Sequence, residues 1–274
     1  FPANYEKILG FMEQPLSVTF RINNLEQNKE LVLSGLENLD YKIGVGPLPN
    51  SFVVLSSPPQ KKLSETDFVN NGQVYIQALS SMLPVLELDP KPQDTILDLC
   101  AAPGSKTSQI ANLTHDQAEI TAVDNNKARI FRLENNLKTQ GFKNVQVLYA
   151  NASGLDKNFP NFCNYFDKVL LDAPCSNEGN IHLNEPKTLK YWNPKLPKKI
   201  SKLQKKLIFS SINMLKPGGT LVYSTCTFSR EENEDVVDWA LKKFPQMQLA
   251  NQKRVEPDGL FTGFFIAKLS KDLL

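Results

Sequence analysis

A chain of 274 residues, 41% hydrophobic and 22% charged, can bury a sizeable core and is not a disordered segment. Its net charge of +2 is too mild to demand a nucleic-acid partner, and no apolar run approaches the ~20 residues that span a bilayer. Four cysteines without a CxxC pair, and only two histidines, argue against a zinc site and against a disulfide framework. Free thiols suit a reducing, cytoplasmic location. The chain opens at Phe1 and not Met, as expected of a trimmed piece of a longer protein, so a missing leader says little.

In chain order, residues 16–23 (LSVTFRIN) alternate like a strand, 31–39 have helical spacing, and 52–55 form a short β-prone run. Prolines and polar residues across 82–94 punctuate strongly and divide the chain. The expected organisation is a small α+β domain over 1–85 and a larger domain over 86–274. The larger domain has a clear rhythm. Strands are expected at 95–99, 120–123, 145–148, 166–171 and 220–224, with a closing strand at 263–269. Helices are expected from near Lys106, over 128–137, through Ile200, Leu203 and Leu207, and around Val236–Leu241, with a turn at Pro217-Gly218-Gly219. Apolar strands alternating with helices predict a parallel sheet covered on both faces, with ligands at the strands' carboxyl ends.

The first of these strands runs into Asp98-Leu99-Cys100-Ala101-Ala102-Pro103-Gly104-Ser105-Lys106. Small residues let backbone approach a ligand beside a helix N-terminus. The second strand ends at Asp124, a carboxylate able to accept from both hydroxyls of a ribose. The third ends at Ala150-Asn151, where a side chain can meet an adenine edge. No GxGxxG is present, and an acid in the first loop repels pyrophosphate but suits a cationic ligand, such as the amino-acid end of S-adenosylmethionine. The plain alternative is three ordinary loop or cap residues.

The fourth strand ends in Asp172-Ala173-Pro174-Cys175 and the fifth in Thr225-Cys226. A lone thiol is ordinarily a small buried hydrophobe, a reading that serves for Cys163 and largely for Cys100. Two thiols at the ends of adjacent strands, one after Asp-Ala-Pro, suit covalent catalysis. A thiolate added to carbon 6 of cytosine activates carbon 5, a carboxyl near nitrogen 3 steadies the adduct, and a second thiol assists release.

At these residues the chain resembles the RsmB/Nop2/Sun family of RNA cytosine-5 methyltransferases. The matching strings are DLCAAPGSKT (98–107), LLDAPCSNEG (170–179), YSTCTFSREENEDVV (223–237) and GFFIAKL (263–269), with GQVYIQALSSMLP (72–84) and SVTFRIN (17–23) before them. The resemblance implies a Rossmann-like class I methyltransferase fold with a mostly parallel seven-stranded sheet, preceded by a small RRM-like α+β domain for RNA recognition. It implies S-adenosylmethionine as cofactor, Cys226 as nucleophile, Cys175 as release group, Asp172 against the target base and Lys106 holding base or cofactor. Cys100, Ala101, Ala102, Pro103, Gly104, Ser105, Lys106, Asp124, Asp172 and, by spacing, Arg129 would line the cofactor site. DNA cytosine methyltransferases instead use the Pro-Cys thiol as nucleophile. Two departures stand out: Asn151 where the family usually has Asp, and Ser176-Asn177 where it often has Ser-Gly.

From Lys187 to Lys206 the chain carries eight lysines and no acid, with Tyr191 and Trp192 among them. Lysines 198, 199, 202, 205 and 206 are expected opposite Ile200, Leu203 and Leu207, a pattern equally that of a plain amphipathic helix, or of phosphate contacts with base stacking. Ribosomal RNA is the first expectation for substrate and transfer RNA the second, with no membrane or metal partner and a monomeric chain. The alternatives are a non-catalytic RNA-binding assembly factor and a small-molecule methyltransferase. His115 and His182 receive no role.

Overall fold

A computed structural model describes residues 5–190 and 192–273; Tyr191 lies outside the described residues. The elements run α1 (Tyr5–Met12), β1 (Thr19–Ile22), α2 (Leu25–Glu37), β2 (Lys42–Val45), β3 (Phe52–Ser56), α3 (Asp67–Asn70), β4 (Val74–Ile76), α4 (Leu79–Leu88), β5 (Thr95–Leu99), α5 (Ser105–Leu113), β6 (Glu119–Asp124), α6 (Lys127–Thr139), β7 (Val145–Tyr149), α7 (Leu155–Asn158), β8 (Phe166–Asp172), α8 (Leu196–Met214), β9 (Leu215–Thr225), α9 (Glu234–Lys243), β10 (Met247–Val255) and β11 (Phe264–Lys271).

The larger sheet has the order β10-β11-β9-β8-β5-β6-β7. Strands β5 to β9 pair in parallel, and β11 joins β9 and β10 antiparallel. Leu97 and Leu99 of β5 belong to the core shared with Leu207, Ile208 and Ile212 of α8 and Val236 and Ala240 of α9. Ile96 belongs to the opposite core, with Val85 and Leu88 of α4 and Ile110 of α5. Alternation along one strand thus feeds two helical layers, each fully buried aliphatic side chain contributing roughly 1.5–3 kcal/mol. This is the parallel sheet covered on both faces that the strand rhythm predicts, in the Rossmann-like α/β form that the family resemblance implies.

The smaller sheet has the antiparallel order β2-β3-β1-β4. Phe20 and Ile22 pack under Val32 and Leu36 of α2. Arg21, on the opposite face of β1, is 2% exposed and reaches into the larger domain. Its Nε donates to Gln77 Oε1 (3.0 Å), and its Nη2 donates to Ser108 Oγ of α5 (2.5 Å) and Gln140 Oε1 (3.3 Å). The guanidinium stacks 4.8 Å from the Tyr75 ring centroid. Burial pulls it down to about 10, so it still enters charged at neutral pH.

Several local expectations differ from the structure. Helix α2 starts at Leu25, earlier than the spacing shows, because its first two turns are mostly polar. Pro84 sits buried inside α4 instead of ending a segment, and α4 crosses the expected division at 85/86 while packing on the larger sheet. Its apolar burial outweighs the one helical hydrogen bond that proline removes. Pro217-Gly218-Gly219 lies within β9, where Gly218 at φ +77° permits an irregularity opposite Phe166 and Lys168. Strand β10 escaped the sequence reading because most of it is exposed, so it carries no apolar run.

Arg21→Ala should destabilise the protein by about 2–4 kcal/mol, since it strands the buried Gln77 and Gln140 acceptors. Chemical denaturation checks this, and a loss under about 1 kcal/mol would mean that Arg21 does not tie the two sheets together.

Candidate active site

The register of β8 against β9 sets the site. Asp172 stands opposite Ser224, and the two chains leave the sheet side by side. Cys175 and Cys226 then meet with their sulfurs 3.1 Å apart. The Cys226 sulfur also donates to Asn177 Oδ1 at 3.0 Å. The hydrogen bond to Cys226, and then burial, push the Cys175 thiol well above the ordinary thiol range, so it rests protonated.

Asp172 faces the same space. Its Oδ2 forms a 2.7 Å ion pair with Lys106 Nζ, and its Oδ1 accepts from Ser224 Oγ at 2.7 Å. Lys106 is a further 2.9 Å from Ser81 Oγ of α4 and lies 5.7 Å from the Phe264 ring centroid. A proton donor and a carboxylate thus stand together beside two thiols.

Buried polar groups hold the two thiol loops. Glu232 accepts from Ser176 N (3.0 Å) and from Gln204 Nε2 (2.9 Å), while Gln204 Nε2 also donates to Pro174 O (3.0 Å). Asn233 Oδ1 accepts from Thr225 Oγ1 at 2.5 Å, and its Nδ2 donates to Thr227 O at 3.0 Å. The Glu178 carboxylate gathers Thr227 Oγ1 (2.7 Å), Phe228 N (3.1 Å), Ser229 Oγ (2.8 Å) and Trp192 Nε1 (3.0 Å). A Cβ on Gly179 would collide with the carbonyl of Gly263, so two glycines let these segments close on each other. Asn177, Glu178, Gln204, Glu232 and Asn233 went unassigned in the sequence reading. Glu178, Glu232 and Gln204 have partners remote in sequence, and Asn177 and Asn233 lie within the cysteine strings but show their contacts only in the folded chain.

The loop after β5 turns at Cys100 (φ 63°) and Gly104 (φ 101°), with a cis bond between Ala102 and Pro103, and leads into α5 at Ser105. A Cβ on Gly104 would meet Leu133 of α6, so the loop needs glycine to lie this close. Asp124, 3% exposed, accepts from Ala102 N (3.2 Å) and Asn126 N (3.0 Å). Arg129 stands 3.5 Å from Asp124 and donates to the Ala102 carbonyl, bracing the loop. Cys100, Asp124, Asn125, Arg129, Asn151, Ala152, Pro174, Leu203 and Leu207 line a cavity of about 220 Å³. That is below the roughly 300–1,000 Å³ of whole small-molecule pockets. Ala101, Ala102, Pro103, Gly104, Ser105, Lys106 and Asp172 lie outside its lining. Burial and the neighbouring carboxylates Asp124, Asp172 and Asp98 push the Cys100 thiol up to about 12, keeping it neutral. Asn151 lines the cavity, and its Oδ1 accepts from Ser153 N (3.0 Å), so the oxygen expected to meet an adenine amine is already engaged.

The lysine helix differs from the expected pattern. The buried face of α8 is Pro197, Ser201, Gln204, Leu207 and Ile208, while Ile200 is half-buried and Leu203 is 40% exposed. Leu203 turns instead to the 220 Å³ cavity. Small polar residues form much of the inward face because Gln204 must reach Pro174 and Glu232. Lys198, Lys199, Lys202 and Lys206 are exposed, and Lys205 stands 5.9 Å from the Trp239 ring centroid. Among the described residues no cluster of three His, Cys, Asp or Glu could hold a metal, and no helix is long and apolar enough to cross a membrane.

Asp98, 1% exposed beneath this loop, accepts from Thr107 Oγ1 at 2.6 Å. Burial raises it to about 7, above its value in the unfolded chain. The folded state therefore holds this proton more tightly, and wild type loses stability as pH rises from about 4 through 7. Asp98→Asn should gain on wild type across that window, by about 2–4 kcal/mol at pH 8 relative to pH 5. Thermal melts over pH check this, and a pH-independent difference would contradict it.

A family profile described as 16S rRNA methyltransferase RsmB/F matches residues 85–269. The chain is 34% identical over 288 residues to Ribosomal RNA small subunit methyltransferase F of Cronobacter sakazakii, covering 97% of this chain and 59% of that protein. It is 37% identical over 257 residues to tRNA (cytosine(72)-C(5))-methyltransferase of Pyrococcus horikoshii, covering 88% of this chain and 64% of that protein. It thus spans about three fifths of the length of these relatives. Among solved structures, a methyltransferase homolog protein from Pyrococcus horikoshii aligns with a TM-score of 0.86 at 32% identity, covering 99% of this chain and 92% of that one. NSun6 from the same organism, solved with SFG, aligns with a TM-score of 0.86 at 26% identity, covering 97% and 94%. The matched segment begins inside α4, runs into β11 and contains both thiol loops, and the chain belongs to the RsmB/F methyltransferase family.

Proposed function

We propose that the protein is an S-adenosylmethionine-dependent RNA methyltransferase that methylates carbon 5 of a cytosine through a covalent cysteine adduct. The observation that carries this is the Cys175–Cys226 pair, 3.1 Å between sulfurs, beside the Lys106–Asp172 ion pair.

The cofactor cavity fits the group in chemistry. Asp124 retains acceptor capacity for ribose hydroxyls, Asn151 offers an amide to an adenine edge, and Pro174, Leu203 and Leu207 supply apolar surface. Cys100 of the following loop lines the cavity, and Ala101, Ala102 and Gly104 beside it are small. A bound S-adenosylmethionine supplies the methyl group as an electrophile.

The chain's own residues supply the rest. The Cys226 thiolate adds to carbon 6 of the cytosine, forming a carbon–sulfur bond and making carbon 5 nucleophilic. Lys106 and Asp172 present a donor and an acceptor to the base as charge shifts onto it. After transfer, Cys175 gives its proton to the departing Cys226 sulfur, and the resulting Cys175 thiolate takes the proton from carbon 5. The carbon–sulfur bond breaks, its electron pair, protonated by Cys175, leaves Cys226 as a thiol, and the carbon 5 proton restores Cys175 to its own thiol form.

RNA as partner is supported by the exposed lysines of α8 and by Trp192, held near the thiol loops by Glu178. A groove of about 590 Å³ lined by Lys157, Lys205, Lys206 and Trp239 runs alongside. In the small domain, the face carrying Arg21 is packed on α5, so RNA contacts there would use other surfaces. Ribosomal RNA is the leading substrate and transfer RNA the second, both kinds appearing in relatives' names. Four free thiols suit a cytoplasmic enzyme.

On a denaturing gel of protein mixed with RNA and cofactor, Cys175→Ala should accumulate a covalent protein–RNA band, and Cys226→Ala should abolish both band and turnover. A band appearing instead with Cys226→Ala would reverse the two roles. No methyl transfer and no adduct with any variant would favour a non-catalytic RNA-binding factor.

A further inference from the structure

Among the described residues no histidine hydrogen-bonds Cys226, so the fate of its proton lies with its immediate neighbours. Among the described residues, the side chains of Cys175 and Asn177 reach the sulfur, at 3.1 Å and 3.0 Å. Asn177 sits at φ 63°, a conformation that asparagine tolerates. Its Oδ1 also accepts from Asn180 Nδ2 at 2.7 Å, and its own Nδ2 makes no hydrogen bond among the described residues.

The charged groups packed around this sulfur are engaged elsewhere. Lys106 and Asp172 hold each other, with Ser81 and Ser224. Glu178 is taken by Thr227, Phe228, Ser229 and Trp192. Glu232 is taken by Ser176 and Gln204. None of them hydrogen-bonds the Cys226 sulfur.

We propose that Asn177 is a positioning residue for Cys226, an amide that aims the sulfur and favours its thiolate form. With the proton on sulfur, the amide oxygen accepts it. With the proton gone, the amide turned over presents its uncommitted NH₂ to the thiolate, and Asn180, turned likewise, accepts from the second N–H. A hydrogen bond to an ion is about twice as strong as a neutral one, so the exchange favours the charged sulfur. The inference rests on reading Cys226 as the nucleophile.

The test is iodoacetamide alkylation of each cysteine, read peptide by peptide over pH 6–9, in the full chain without RNA or cofactor. Asn177→Gly keeps the backbone conformation. It should slow Cys226 alkylation at pH 7 by roughly tenfold and move its profile to higher pH, leaving exposed Cys163 unchanged. Asn177→Asp should slow it further, because a carboxylate opposes the thiolate. Asn180→Ala should act in the same direction but less, and serves if Asn177→Gly does not fold. An unchanged or faster Cys226 profile in these variants overturns the inference. Alkylation needs no methyl transfer, so this failure is separable from failure of Cys226 to form an RNA adduct.

Discussion

The structure depends above all on the parallel pairing of β8 with β9. Once Asp172 stands opposite Ser224, the chain reaches Cys175 three residues after Asp172 and Cys226 two residues after Ser224. The sheet thereby starts both thiol loops side by side, and their sulfurs end 3.1 Å apart. A slip of one residue in either strand would turn one thiol loop to the wrong face. The cores on both sides of β8 and β9 therefore protect the chemistry as well as the fold.

A register alone leaves the loop tips free to wander. Glu232 and Gln204 fix the Pro174–Ser176 segment from behind, and Asn233 and Glu178 fix the 225–229 segment. These groups are buried or half-buried, so breaking one leaves others unsatisfied at a cost of about 1–3 kcal/mol each. Gln204 explains why α8 turns a partly polar face inward and leaves Leu203 to the cavity beside Asp124 and Asn151. The same helix thus serves the thiol loop, the cavity and the exposed lysines.

The legible part of the molecule was the part written in local pattern. Strands β5, β6 and β8 are continuous apolar runs because helices cover both of their faces, and each ends in residues that the structure brings to one crevice. Cys175, Cys226, Asp172 and Lys106 meet there, while Asp124, Arg129 and Asn151 gather around the adjoining cavity. What escaped is non-local or solvated. Strand β10 is exposed, β2 and β4 are short, and Pro84 is carried inside α4 by tertiary packing. The face of α8 was misjudged because Ser201 and Gln204 are buried for their hydrogen bonds, which no hydrophobic period reveals. Asn177 was visible as a departure from the family's pattern, but its contact with Cys226 is a matter of three dimensions.

The most direct measurement is incubation with RNA and methyl-labelled S-adenosylmethionine, followed by digestion to nucleosides and mass spectrometry. The account predicts label in 5-methylcytidine with wild type and none with Cys226→Ala. Label in any other nucleoside, or undiminished 5-methylcytidine from Cys226→Ala, would contradict it.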